Sequence, residues 1–256
     1  MKTNKYEFAV RSVIGTREEQ QDCVDTLVED SAFAAVVCDG MGGLEGGQKA
    51  SRIVCDTLID VIKNRETDEP ISSVYLRSVD ILDEKVFALI DEEGEKLNAG
   101  TTVVSVYIKD DSLFWMSVGD SRLYILRGDD IVTATRDHNY FLTLNAMPES
   151  FVPTEDDLAK GNALISYIGM GGVSIMDISN NPVALVPEDY ILLTTDGLFK
   201  ALSDEKIKEI IRSSAPLAEK ADMLLRTAEE LSPDNRDNIS FVIISVKENS
   251  NEADQM

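Results

Sequence analysis

Three aspartates stand where a strand would hold a carboxylate in place. The apolar run Val36-Val37-Cys38 ends in Asp39 and dissolves into Gly40-Met41-Gly42-Gly43, and Leu192-Leu193-Thr194-Thr195 ends in Asp196-Gly197. Asp237-Asn238 stands just before the apolar run Ile239 to Val246, and Asp120 lies in the turn Gly119-Asp120-Ser121. A buried strand fixes a carboxylate at its end, and glycine lets backbone and ions come close to it. If strands 190–195 and 239–246 are antiparallel neighbours, Asp196 and Asp237 share a rim that could also hold Asp39 and Asp120. Carboxylates gathered so closely repel unless cations sit among them. An all-oxygen donor set with no histidine nearby selects Mg2+ or Mn2+ rather than zinc. Two such ions lower the pKa of a shared water and clamp the attacking and leaving oxygens of a phosphoryl transfer. Each aspartate alone reads more simply as a turn or cap residue. The recurrence of strand-terminal acid plus glycine is what points to a cage.

The glycine-rich loop has two rival readings, and both fail. A dinucleotide fingerprint needs glycine at Glu45, and a P-loop needs Gly-Lys-Ser/Thr where Gly47-Gln48-Lys49 stands. The charge balance of −23 over 256 residues opposes nucleic acid or anionic membrane as a partner. Most of the 47 acids are expected to form a soluble, self-repelling surface. Cys23, Cys38 and Cys55 have no paired spacing, which argues against a disulfide framework or a zinc site, and Cys38 is expected to pack as a small hydrophobe. The opening residues MKTNKYEFAVRS carry no apolar signal core, and no apolar run is long enough to span a bilayer. A cytoplasmic protein is the expectation.

The elements that must position these acids are legible as runs of β-branched and aromatic residues. Strands are predicted over Ala32–Cys38, Thr101–Lys109, Leu113–Val118, Arg122–Leu126, Tyr190–Thr195 and Ile239–Val246. Ile71, Val74, Tyr75, Leu82, Val86, Leu89 and Ile90 form one helical stripe. Leu217, Ala221, Leu224, Leu225 and Ala228 form another, with Ser214 as the predicted cap and Pro216 in the first turn. Ser203 is the predicted cap of a shorter helix, and a helix is expected to start near Gln48. Only Gly119-Asp120-Ser121 separates Val118 from Arg122, which predicts an antiparallel hairpin. Two helices after the first strand and then a strand meander argue for an α+β fold with helix-covered sheets. Residues 147–162 read as a mobile loop, residues 1–247 as a single domain, and 248–256 as a polar C-terminal tail.

Taken together, these residues resemble the metal-dependent protein serine/threonine phosphatases, the protein phosphatase 2C-like group of bacterial type. Gly15-Thr16-Arg17 through Gln20-Gln21-Asp22 is similar to the opening element of that family. Asp39-Gly40-Met41-Gly42-Gly43 running on to Gly47 and Ala50-Ser51 follows, then Gly100-Thr101-Thr102, Gly119-Asp120-Ser121-Arg122 and Asp137-His138. Thr195-Asp196-Gly197-Leu198 and Asp237-Asn238 complete the order, so the resemblance runs from about Gly15 to Val246. It implies a four-layer α-β-β-α sandwich, two mainly antiparallel sheets flanked by helices, with two or three Mn2+ or Mg2+ ions. Asp39 would bridge the first two ions; the Gly40 carbonyl, Asp196 and Asp237 would complete their protein ligands. Asp120 with Asp196 would serve a third, weaker site. Arg17 would hold the substrate phosphate, Asp22 would hydrogen-bond metal-bound water, and a water bridging two ions would attack phosphorus in line.

Several positions depart from the family pattern. Gln21 stands where a metal-binding glutamate is common, Lys200 where many members carry aspartate, and Leu44 where histidine is common. Met41 replaces a histidine of some eukaryotic members but is shared by bacterial ones. His138, the one histidine in the chain, is expected to play a hydrogen-bonded supporting role in a structural stretch rather than act as acid or base. Trp115 is expected in the core, and 147–162 as a flap that tunes access. The implied function is a monomeric phosphatase acting on phosphoserine and phosphothreonine in proteins phosphorylated by a serine/threonine kinase. The alternative is a non-catalytic phosphoprotein-binding module with metal affinity weakened by Gln21 and Lys200.

Overall fold

The computed structural model describes residues 5–42, 46–148, 150–234 and 236–247. The chain opens with β1 (Tyr6–Val13), β2 (Asp22–Val28), β3 (Ala32–Gly42), α1 (Gly46–Lys63) and α2 (Ile71–Phe87). Next come β4 (Ala99–Thr101), β5 (Val103–Lys109), β6 (Ser112–Val118), β7 (Arg122–Arg127) and β8 (Asp130–Thr133). Short helices α3 (Tyr140–Asn145) and α4 (Glu155–Ala159) precede β9 (Asp177–Ile178), β10 (Val183–Ala184) and β11 (Tyr190–Thr194). The chain then forms α5 (Asp196–Phe199), α6 (Asp204–Arg212), α7 (Leu217–Leu231) and β12 (Ile239–Val246).

One sheet runs β1-β12-β11-β7-β8 and the other β10-β6-β5-β3-β2, with β4 added to β3 and β9 to β6. Neighbouring strands in both sheets are antiparallel. Alternation along single strands shows the layers. In β3, Ala34, Val36 and Cys38 pack with α1 and α2 residues such as Val54, Leu58 and Val79. Phe33, Ala35 and Val37 point the other way, against Leu123, Ile191 and Val242 of the opposite sheet. In β12, Phe241 and Ile243 meet Ile207, Leu217 and Leu224 of α6 and α7, while Val242 and Ile244 join the inter-sheet core. Strands buried on both faces explain the uninterrupted apolar runs. The result is the four-layer α-β-β-α sandwich. Among the described residues no helix is long and apolar enough to cross a membrane.

Some local expectations need correction. Val118 and Arg122 do not flank a hairpin: β6 belongs to one sheet and β7 to the other, so Gly119-Asp120-Ser121 carries the chain across the sandwich. Gly119 adopts φ +102°, and a Cβ there would stand 2.6 Å from Thr102 Cγ2, so the crossing requires glycine. The α2 helix ends before Leu89 and Ile90. Pro216, not Ser214, is the N-cap of α7; its ring has no acceptor and makes no side-chain cap bond, while its fixed φ suits a helix start. Ser203 does cap α6, accepting from the Lys206 amide. Segment 147–162 contains α4, which Thr154 and Asp157 close with a reciprocal capping box. Strands β1 and β2 escaped prediction because Glu7, Arg11, Ser12, Asp22 and Asp25 interrupt their apolar pattern. Leu44 and the 248–256 tail lie outside the described residues. All three cysteines are free and buried, as Cys38's place in an apolar strand implied, and Trp115 packs partly buried against the inter-sheet core. Replacing Gly119 with alanine should lower the unfolding free energy by about 1–3 kcal/mol in denaturant titrations; an unchanged midpoint would contradict this account of the crossing.

Candidate active site

Asp39 sits where β3 turns from the long sheet to pair with β4, and its backbone is fully engaged. Its amide donates to Thr102 Oγ1 (3.0 Å), and its carbonyl accepts from Thr102 N (2.9 Å) and Thr101 Oγ1 (2.9 Å). The two threonines fix the main chain and leave the carboxylate to face the cleft. Across the ladder Asp39 is paired with Asp22, two acids side by side on neighbouring strands. Gly40 donates to Gln21 O at 3.1 Å, and a Cβ on it would lie 2.2 Å from Gly47 O and 2.5 Å from Gln21 O. Three chain segments therefore meet at a point that admits only glycine.

Asp196 and Asp237 come from the opposite sheet, and Asp120 from the segment that crosses between the two. Asp196 starts α5 directly after β11, and the pairing of β11 with β12 meets the condition set from sequence and puts its strand end beside the start of β12. Asn238 fastens this rim: its Oδ1 accepts from Gln21 N (2.7 Å), and its Nδ2 donates to Ile14 O (2.8 Å) and Glu19 O (3.1 Å). Asp22, nearly buried, accepts from Thr195 Oγ1 at 2.9 Å. Asp120 is held in place from below. Gly119 N donates to His138 Nδ1 (3.1 Å), while His138 N donates to Gly119 O (3.0 Å). His138 is fully buried, which gives it the supporting role expected of it. Arg122, next in the crossing, binds Asp137 through two N–H groups (2.9 and 2.7 Å) and lies over the Phe199 ring at 3.8 Å.

Asp39, Asp120, Asp196 and Asp237 face a cleft with two lobes, and Asp22 lies buried behind them. One, of about 460 Å³, is lined by Asp120, Lys200, Tyr167, Asn98 and Asn162; the other, of about 620 Å³, by Arg17, Glu19, Gln21, Gly40 and Asp237. Asp39, Met41, Gly42 and Asp196 line both. Arg17 stands at the outer rim and donates to Asp237 Oδ2 at 2.8 Å, with more than half of its side chain exposed. Lys200 donates to Asp196 Oδ2. Asn98, Asn162 and Tyr167 were not singled out from sequence, because loop residues carry no periodic signal. Gly100 offered a trace of one: a Cβ there would lie 2.6 Å from the Tyr167 ring, so the glycine makes room for the aromatic wall.

Mutual repulsion marks this cluster. Burial, and then the charges of Asp22, Asp196, Asp120 and Asp237, push the Asp39 carboxyl well above the ordinary range. Burial raises Asp22 to about 7 against hydrogen bonds from Ser240 and Thr195, with Asp196 and Asp237 adding to the rise. Burial and Asp196 raise Asp120 to about 6, with Lys200 opposing. Asp196 Oδ1 is buried and has no hydrogen-bond partner. Among the described residues no three acid, histidine or cysteine side chains converge on one point, so a cation here would be shared between carboxylates and keep water ligands. An all-oxygen, water-completed set fits Mg2+ or Mn2+, and the orphaned oxygen of Asp196 is a place for one.

Carboxyls raised in the folded state stabilise it only while protonated. Without metal, the contribution of Asp22 and Asp120 is complete below pH about 4 and is lost as pH rises through about 6 and 7. The thermal midpoint of chelator-treated protein should therefore fall between pH 5 and 8. Asp120→Asn should flatten the fall, and saturating Mn2+ should remove it. A metal-free midpoint that rises over this interval would contradict the repulsion.

Comparison with known proteins agrees with this geometry. The family model described as Protein phosphatase 2C matches residues 11–232. Protein phosphatase PhpP of Streptococcus pneumoniae is 27% identical over 241 residues, covering 91% of this chain and 94% of that protein. The S. agalactiae serine/threonine phosphatase superposes with a TM-score of 0.81 at 24% identity, over 94% of this chain and 100% of that one. The catalytic domain of the phosphatase PstP, solved in complex with 2 manganese ions, superposes with a TM-score of 0.75 at 25% identity, over 95% and 99% of the two chains. With the family model spanning most of its length, the chain belongs to the protein phosphatase 2C family.

Proposed function

We propose that this chain is a divalent-metal-dependent protein phosphatase that removes phosphate from phosphoserine and phosphothreonine. The observation that carries the reading is the group of mutually repelling carboxylates around Asp39, with an unpartnered Asp196 oxygen among them. Asp39, the Gly40 carbonyl, Asp196 and Asp237 would hold two ions between them, with Mn2+ or Mg2+ both suited to the donors; PstP, a similar fold, binds two manganese ions. When bound, such ions make water nucleophilic near neutral pH and neutralise the charge that builds on a transferring phosphoryl group.

The protein's own residues have separate tasks. Asp39 and Gly40 fix their donor oxygens through the threonine pair and the three-segment crossing, which removes the need to reorganise them during reaction. Asp22, oriented by Thr195, stands behind this layer as a proton-accepting partner for water in the cleft. Arg17 sits at the mouth with exposed N–H groups, and a phosphate dianion would compete with Asp237 for its planar fork. The open cleft and its polar lining suit an extended phosphorylated segment of protein. The catalytic unit is read as 1–247, acting as a monomer on the products of a serine/threonine kinase. Three unpaired, buried thiols suit a reducing cytoplasm.

Hydrolysis of a phosphothreonine peptide should require added Mn2+ or Mg2+, stop with chelator, and fall by at least about 100-fold in Asp39→Asn, more than loss of an outer-layer partner costs. Turnover that survives chelation or the Asp39 change would refute the metal reading. Mn2+ binding without turnover would point instead to a phosphoprotein-binding module.

A further inference from the structure

We propose that the Lys200 ammonium is a built-in monovalent cation that takes the place of a divalent ion in the Asp120–Asp196 lobe, so that the cleft works with two ions. This rests on the metal reading above and concerns a residue that departs from the aspartate many members of the family carry there.

Lys200 follows α5 four residues after Asp196, and its backbone N–H donates to Asp196 O at 2.9 Å. That turn places both side chains on one face, and Nζ donates to Asp196 Oδ2. The same side chain lines the cavity with Asp39 and Asp120, and its charge acts on all three acids. It is 54% exposed, against 14% for Asp196, so the ammonium keeps part of its hydration while it neutralises carboxylates that cannot. Among the described residues lining this lobe it is the one cationic side chain.

Two consequences follow from charge alone. A divalent ion entering beside Asp120 must displace the lysine from Asp196 or face it at close range, and both weaken binding. Asp196 meanwhile commits one oxygen to Lys200 and keeps Oδ1 unpartnered, so its remaining donor capacity serves a single ion rather than two.

The test is the number of Mn2+ ions bound, counted by isothermal titration and by the electron paramagnetic resonance signal of free Mn2+. Wild type and Lys200→Arg should saturate at two ions. Lys200→Asp should bind one more, and Lys200→Met should gain the same ion about tenfold more weakly, lacking the extra carboxylate. The double change Lys200→Asp with Asp120→Asn should return the count to two. Circular dichroism verifies that each variant is folded. Equal counts in wild type, Lys200→Met and Lys200→Asp would overturn the assignment of Lys200, and a third ion retained in the double variant would overturn the placement at Asp120. Wild type that binds no Mn2+ would overturn the metal reading itself.

Discussion

The repulsion among carboxylates at one rim is the constraint to which the rest of this structure answers. Asp22, Asp39, Asp120, Asp196 and Asp237 arrive from both sheets, and the chain holds them close enough that the charges of Asp196 and Asp237 add to the rise at Asp22 and Asp39, and that of Asp196 to the rise at Asp120. Left to themselves, five such groups would pull the strand ends apart or take up protons. The fold resists the first with backbone bonds placed behind the acids. Thr101 and Thr102 hold Asp39, Thr195 holds Asp22, and the two-way clamp between His138 and Gly119 holds the Asp120 turn. Lys200 and Arg17 answer part of the charge from outside, and divalent cations answer the remainder in the reading favoured here.

The four-layer architecture makes this gathering possible. Strands buried on both faces are rigid enough to carry a strained electrostatic load at their ends. The acids come from opposite sheets, so the inter-sheet core of Phe33, Val37, Leu193 and Val242 sets their separation. Asn238 then ties the segment from Ile14 to Gln21 to the start of β12, bringing Arg17 to the mouth and Gln21 to the floor. The Asn238 side chain joins this loop to the acid rim beside the Thr16 bonds to Arg236 O and the Arg17–Asp237 pair, which gives Asn238 an importance that its neighbour Asp237 hides in the sequence.

Much of this was legible from residues alone, for identifiable reasons. Apolar runs of β3, β5, β11 and β12 announced themselves because both faces are buried, and the acids at their ends were conspicuous against that background. The shared rim of Asp196 and Asp237 was read only on the condition that β11 and β12 are antiparallel neighbours, a condition the sheet meets. Antiparallel reasoning failed at Gly119: three residues fit a hairpin and an inter-sheet crossing equally well, and β7 takes its partner β11 from far away in sequence rather than β6. Edge strands β1 and β2 were hidden by their polar residues, and the Tyr167–Asn98–Asn162 wall by its place in loops. The charge of Lys200 could be read as a departure; its turn-set contact with Asp196 could not.

The central claim of the proposed reading is that the acids around Asp39 would hold two divalent cations close together. The most direct measurement is the electron paramagnetic resonance spectrum of the protein loaded with Mn2+. Two ions bridged by one carboxylate should give a broad, exchange-coupled spectrum, and Asp39→Asn should replace it with the six-line pattern of isolated ions or abolish binding. Uncoupled six-line signals in the wild-type protein at full loading would contradict the account.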